Sequence, residues 1–242
     1  MSILSQKTIA NKIVFNGVGL HTGNNVQLNL IPAAPNTGII FKRLDLLKNN
    51  IVLPTFENVS DTTLCTTISN SNGVKISTIE HLMGALYGIG IDNLIVEINS
   101  QELPILDGSA KVFVEKILST GIKSSSSPIK LIKINKKVSY SEGSKKISID
   151  QSKVASEIDF EIEYKNKIIQ NQRNKINIFN DDLKDIFESR TFCLYEDIEK
   201  LKNAGFGKGG SLDNAIVVGD KKILNEDGLR NSKEFVNHKI LD

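Results

Sequence analysis

The sequence predicts an α+β protein of two similar domains, each a β-sheet with helices packed on one face, and a site between them. Three observations predict this. Strand-like and helix-like apolar periodicities succeed one another along the whole chain. A tract of serines closed by a proline, Ser124-Ser125-Ser126-Ser127-Pro128, breaks the pattern near the midpoint, as linkers do. Finally, Gly90-Ile91-Asp92-Asn93-Leu94-Ile95-Val96 is echoed by Ser211-Leu212-Asp213-Asn214-Ala215-Ile216-Val217 at an offset of 121 residues (Ile91 to Leu212), half of the 242-residue chain. Each copy follows a helix-like stretch and a Gly-containing turn and leads into a strand-like one, which points to duplication of one unit. The boundaries that follow are 1–123 for the first domain, 124–128 for the linker and 129–242 for the second domain.

Element by element, Lys12-Ile13-Val14-Phe15 reads as a strand entering a turn rich in glycine (Gly17, Gly19, Gly23). Val26-Gln27-Leu28-Asn29-Leu30 alternates as a half-buried strand does, Pro32 and Pro35 end it, and Gly38-Ile39-Ile40-Phe41 reads as the next. Residues 62–69 and 74–77 flank Asn70-Ser71-Asn72-Gly73, and Asn-Gly between β-branched runs marks a hairpin. A helix follows, with Ser77 or Thr78 as N-cap and Glu80 in the first turn, where the helix dipole favours an acid. Leu82, Ala85 and Leu86 form its apolar face, and Gly88 and Gly90 its end. Residues 93–98 read as a strand, and 109–118 as a second helix with Val112, Phe113 and Ile117 inward. In the second half, 129–138, 146–149 and 158–164 read as strands, 192–204 as a helix, 215–218 as a strand and 234–242 as the start of a helix.

The composition excludes several classes. With 40% hydrophobic and 24% charged residues the chain can build a real core. A net charge of +2 argues against a dedicated nucleic-acid binder, and 6% aromatic content leaves an RNA-binding α+β module without the sheet face it needs. Cys65 and Cys193 are too few for a disulfide framework and read as buried thiols of a reducing compartment. The N-terminus carries no secretory pattern, and no apolar window approaches the roughly 18 residues of a membrane span. A soluble, cytoplasmic protein is expected.

The chemistry rests on few residues. Glu80-His81 places an acid beside an imidazole in the first turn of a helix, and His238 and Asp242 stand at i, i+4, on one face of another. Two imidazoles and a carboxylate, with a further position open for water, form a catalytic zinc set, and the i, i+4 spacing follows the logic of the two zincin histidines. The plainer alternatives are a capping or surface histidine at 81 and a surface pair at 238 and 242.

The blocks GVGLHTG (17–23), TIEHLMGAL (78–86), GIDNLIVEIN (90–99), ELPILDGSA (102–110), SRTFCLYEDIEKL (189–201), KGGSLDNAIVV (208–218), NEDGLR (225–230) and FVNHKILD (235–242) occur in this order. Together they resemble the UDP-3-O-acyl-N-acetylglucosamine deacetylase family, zinc amidases committed to lipid A synthesis. The resemblance implies Zn2+ held by His81, His238 and Asp242, with Glu80 as general base toward the water that attacks the N-acetyl carbonyl. It implies Thr191 as hydrogen-bond donor to the oxyanion; a helix cap is the alternative, and both are compatible. Lys239 matches a basic residue near the nucleotide diphosphate, and Phe192 lines the sugar site or simply packs. Ile198, Leu212, Ala215 and Val217 are candidates for the acyl passage, with plain core as the alternative. His21 is not a ligand in the family and reads as a turn or core histidine. The implied partner is a small molecule, acylated UDP-glucosamine, bound by a monomer.

Members of that family continue for several dozen residues past the aspartate matched by Asp242, and that segment carries a histidine that stabilises charge or acts as general acid. No histidine follows His238 here. The expectation is therefore a chain truncated relative to the family, with Asp242 at a fraying helix end and apolar surface exposed in the second domain. The alternative function is a remnant that binds zinc or nucleotide sugar without turnover.

Overall fold

The structure, a computed structural model, describes residues 4–152 and 156–242. The first half contains β1 (Ser5–Ile9), β2 (Ile13–Val18), β3 (Asn25–Pro32), β4 (Ile39–Arg43), β5 (Ile51–Val52), β6 (Val59–Asp61), β7 (Thr67–Ser69), β8 (Lys75–Ser77), α1 (Glu80–Ile89), β9 (Leu94–Ile98) and α2 (Lys111–Thr120). Five strands form one sheet in the order β2-β3-β9-β4-β5, with β9 antiparallel to β3 and parallel to β4. Alternation decides which face is buried: Val26, Leu28 and Leu30 of β3 and Leu94, Val96 and Ile98 of β9 all point inward. Leu82, Ala85 and Leu86 of α1 and Phe113, Val114 and Ile117 of α2 close the same core. Phe15 meets Phe113 edge-to-face at 5.0 Å.

β6, β7 and β8 form a second, three-stranded sheet whose last hairpin turns at residues 70–73. Gly73 takes the left-handed conformation (φ 76°), and Asn70 Oδ1 accepts the Asn72 and Val74 amides. The expected cap of α1 is corrected: Ser77 ends β8, and the capping position falls to Ile79, without a side-chain cap bond. Thr78 instead adopts φ 58° and spends its hydroxyl on Glu102 Oε1 at 3.1 Å. Gly88 lies inside α1 rather than ending it; left-handed Gly90 (φ 79°) is the stop.

The remaining elements are β10 (Ile122–Pro128), β11 (Val138–Glu142), β12 (Lys145–Ile149), β13 (Glu157–Glu163), β14 (Asn171–Asn177), α3 (Lys184–Phe187), β15 (Phe192–Leu194), α4 (Ile198–Asn203), β16 (Ile216–Val218) and α5 (Glu234–Leu241). Three expectations are corrected here. The Ser124–Pro128 tract is not a linker in conformation but part of β10, paired antiparallel with β1. Small polar side chains suit a half-exposed strand, and the partner lies more than a hundred residues away, beyond the reach of a local pattern. The stretch expected as a strand over 129–138 has no strand before Val138, and Leu131 and Ile132 are exposed. Alternation alone cannot make a strand without a ladder to join. The expected helix over 192–204 opens instead as β15, because Phe192-Cys193-Leu194 pairs in parallel with Ile216-Val217-Val218; the helical part is a 3-10 turn, Tyr195–Asp197, that runs into α4.

Of the two similar segments, 90–96 leads into the central strand β9, while 211–217 leads into β16, whose one ladder among the described strands is with β15. β11–β12 and β13–β14 are separate hairpins. Cross-strand pairs Val138–Ile149 and Tyr140–Ile147 leave these four side chains exposed. α5 is enclosed on nearly every side: Phe235 and Val236 enter a small core with Ile162, Ile169, Ile216 and Val218, while Ile240 and Leu241 enter the large core beneath α1. No helix among the described residues is long and apolar enough to cross a membrane.

Candidate metal centre

His81 leaves the first turn of α1, and His238 and Asp242 leave the last turns of α5, where the two helices meet. One ligand atom from each of the three lies within 4.8 Å of the others. His81 Nε2 is 3.7 Å from Asp242 Oδ1, and His238 Nε2 is 3.4 Å from Oδ2. The rings stand edge-to-face, 5.0 Å between centroids. The Asp242 amide donates to the His238 carbonyl at 3.0 Å, closing the last turn beneath the carboxylate.

His238 Nδ1 lies 3.1 Å from the Ser189 carbonyl. A carbonyl can only accept, so Nδ1 carries the proton and Nε2 turns its lone pair toward Asp242. Burial pushes both imidazoles down, His238 to about 3, which keeps them neutral and ligand-ready at pH 7. Burial opposes ionisation of Asp242, but His238, Lys239 and His81 outweigh it and hold this carboxyl below its ordinary value. Two neutral imidazole nitrogens and an ionised carboxylate converge, with outward hydrogen bonding that fixes a ring. This donor set fits Zn2+.

Glu80 sits beside them. Its Oε1 accepts the Thr66 amide at 2.7 Å; its Oε2 is buried with no hydrogen-bond partner among the described residues. Burial raises this carboxyl to about 7, the range of a working general base. A buried acceptor left without a donor is a costly arrangement for a purely structural residue. Cys65 and Thr67, on either side of Thr66, line a cavity of about 430 Å3 together with His21, Asp61, Phe206 and Lys208. His21 packs edge-to-face on Phe206 at 5.2 Å and donates its amide to Glu102, and its buried ring faces the Leu64 backbone.

A buried ion pair ties the second half to α5. Arg190 Nε donates to Glu234 Oε1 at 2.8 Å, with the two side chains 6% and 0% exposed. Glu234 also accepts the amides of Arg190 and Arg230, and Arg190 reaches the Gly228 carbonyl. Arg190 stands between Ser189, whose carbonyl orients His238, and Thr191, which is half-buried at the entry to β15. Phe192 contacts Phe235, Tyr164 and His238 edge-to-face, with Lys239 Nζ 5.5 Å from its centroid. Lys239 Nζ also pairs with Asp242 Oδ2 at 2.9 Å. Asn225 gathers three of the acyl-passage candidates through their backbones: Nδ2 donates to the Leu212 and Ala215 carbonyls, and Oδ1 accepts the Val217 amide. Ala215 and Val217 are buried, Leu212 is exposed, and Ile198 is the first residue of α4.

Sequence reasoning missed Ser189, Arg190, Glu234, Thr66 and Glu102. Ser189 and Thr66 act through backbone atoms, which no residue type advertises. Glu234 reads as an ordinary first-turn acid, four residues before His238 on the same face. Glu102 is fully buried and accepts from the His21 and Thr22 amides and from the Thr22 and Thr78 hydroxyls. An acid inside ELPIL carries no sign of that.

The sequence model of the UDP-3-O-acyl N-acetylglycosamine deacetylase family matches residues 6–242. A UDP-3-O-acyl-N-acetylglucosamine deacetylase of Teredinibacter turnerae is 44% identical over 243 aligned positions, covering 99% of this chain and 80% of that protein. Proteins of the same name from Shewanella oneidensis and Haemophilus ducreyi are 41% and 40% identical, each covered over 79% of its length. By both measures the chain belongs to the UDP-3-O-acyl-N-acetylglycosamine deacetylase family.

Proposed function

We propose that the chain hydrolyses the N-acetyl group of UDP-3-O-(3-hydroxyacyl)-N-acetylglucosamine, releasing acetate, with Zn2+ held by His81, His238 and Asp242. The single observation that carries this reading is Glu80 Oε2, buried and without a hydrogen-bond partner among the described residues, beside two neutral imidazoles and a carboxylate. Bound there, Zn2+ supplies Lewis acidity toward the carbonyl and lowers the pKa of water. The rest of the work falls to the chain. Glu80 takes a proton from the attacking water at Oε2 while the Thr66 amide holds Oε1 in place, and it returns that proton to the sugar nitrogen as the C–N bond breaks and acetate leaves. The Thr191 hydroxyl donates to the oxyanion that forms at the acetyl carbonyl oxygen, a contribution of roughly 2–4 kcal/mol when well aligned. Lys239 offers a point charge to the diphosphate and exchanges its Asp242 partner for it. Phe192, Ile198, Leu212, Ala215 and Val217 supply apolar surface for the sugar and the acyl chain. The reaction is the committed step of lipid A assembly, carried out by a monomer in the cytoplasm of a Gram-negative-type bacterium.

Glu80→Ala tests it. The variant should keep its Zn2+ and lose acetate release by about 10²–10⁴-fold. Retained turnover would remove Glu80 as the base. Zinc uptake by the unsubstituted chain without any acetate release would assign it instead to binding without turnover.

A further inference from the structure

Gly84 lies in the interior of α1, one turn beyond His81. Glycine at such a position disfavours a helix by about 1 kcal/mol relative to alanine, so its presence calls for a packing reason. That reason is on α5. A Cβ added at Gly84 would lie 2.6 Å from the Leu241 carbonyl oxygen and 2.8 Å from Leu241 Cδ1. The obstructing carbonyl is backbone, immediately before Asp242, and Leu241 is itself buried in the large core. Restoring ordinary contact, 3.4 Å or more, would displace the end of α5 by about 0.8 Å or require an equal shift of α1. Metal sites tolerate far less, of the order of 0.2 Å in ligand distance.

Gly88, one turn further along the same face, provides the contrast. A Cβ there would meet the tip of the Phe187 ring at 2.5 Å and 2.7 Å, and Leu183 Cδ1 at 3.3 Å. These are side-chain ends on and beside α3, and they belong to no candidate ligand.

We infer that Gly84 is a positioning residue for the metal centre: its bare Cα lets the α5 backbone come close enough to α1 for Asp242 to reach His81. The spacing stands on the packing alone; its consequence for metal rests on the zinc reading above. The test compares Gly84→Ala with Gly88→Ala, substitutions that raise helix propensity equally. Zn2+ affinity is measured by competition with a chromophoric chelator, and hydrogen exchange at the end of α5 is measured on the metal-free proteins. Gly84→Ala should weaken Zn2+ about 10–100-fold and speed exchange at the Leu241 and Asp242 amides about tenfold, with Gly88→Ala close to the parent in both. Should Gly84→Ala not fold, the double variant Gly84→Ala/Leu241→Ala removes the Cδ1 collision and is measured in its place. Unchanged affinity and exchange in Gly84→Ala, or equal losses in Gly88→Ala, overturn the inference. If the parent takes up no Zn2+, the zinc reading fails, and exchange alone decides the spacing.

Discussion

The two halves of the molecule are held together differently. In the first, a five-stranded sheet and two helices enclose a broad core, and α1 rests on it through Leu82, Ala85 and Leu86. In the second, strands come in pairs, the separate core is small, and the β11–β12 hairpin leaves Val138, Tyr140, Ile147 and Ile149 exposed. Polar clamps take over there: Arg190 with Glu234, and Asn225 across the turn before β16. His81 thus stands on a sheet-backed helix, and its two companions on a helix shared between cores and tethered by an ion pair. The site depends on apolar packing from one side and on specific hydrogen bonds from the other.

That contrast can be broken at its strongest point. Glu234→Ala leaves the Arg190 guanidinium buried without its partner and should destabilise the chain by about 3–5 kcal/mol in urea unfolding. It should also weaken Zn2+ uptake, because the Ser189 carbonyl that orients His238 loses its anchor; a stable variant with intact metal affinity would show that the clamp is dispensable. On the other side, Leu94→Ala in the central strand should cost about 2–5 kcal/mol through the cavity it opens. Its folded fraction should bind Zn2+ like the parent, since Leu94 touches neither clamp nor ligand shell in the way Glu234 does. Glu102→Gln sharpens the picture within the first half. It places a donor among four donors and should cost about 1–3 kcal/mol, loosening Thr78 and the start of α1. Equal thermal midpoints for this variant and the parent would argue that the loop holds without the carboxylate.

The smallest effect belongs to Asp45, where hydrogen bonds from Arg43 outweigh burial and hold the carboxyl below the usual carboxylate range. A depressed folded pKa means stability present above the unfolded pKa and lost as pH falls through the folded one. Asp45→Asn should therefore cost up to about 1 kcal/mol near neutral pH, with the difference from the parent fading in acid below pH 4. A gap that persists at pH 2 would point to packing rather than charge.

How much of this was legible in the residues varies with the range of the interaction. Alternation in β3 and β9 and the helical face of α1 follow from local pattern, because one buried face imposes its own period on side chains of neighbouring residues. The Ser124–Pro128 tract and Phe192-Cys193-Leu194 misled for the opposite reason. Their state is set by partners β1 and β16, and a ladder of that kind has no local signature. Within the site, His238 and Asp242 could be paired by helical spacing alone, and Glu80-His81 stood out as a dipeptide. Ser189 and Thr66 could not stand out, since each acts through the peptide backbone.

The sequence by itself determined the chemical inventory: three histidines, a carboxylate four residues past the last of them, an acid beside another, and eight ordered blocks that resemble one family. Only the tertiary structure decided which of these meet. Burial in two cores neutralises the imidazoles and lifts Glu80 to about 7, the Arg190–Glu234 pair sets the carbonyl that orients His238, and a missing side chain at Gly84 lets α5 approach. Residue type specifies what a group can donate, accept or titrate; its solvation and its neighbours across the fold specify what it does, and those come from packing between segments far apart in the chain.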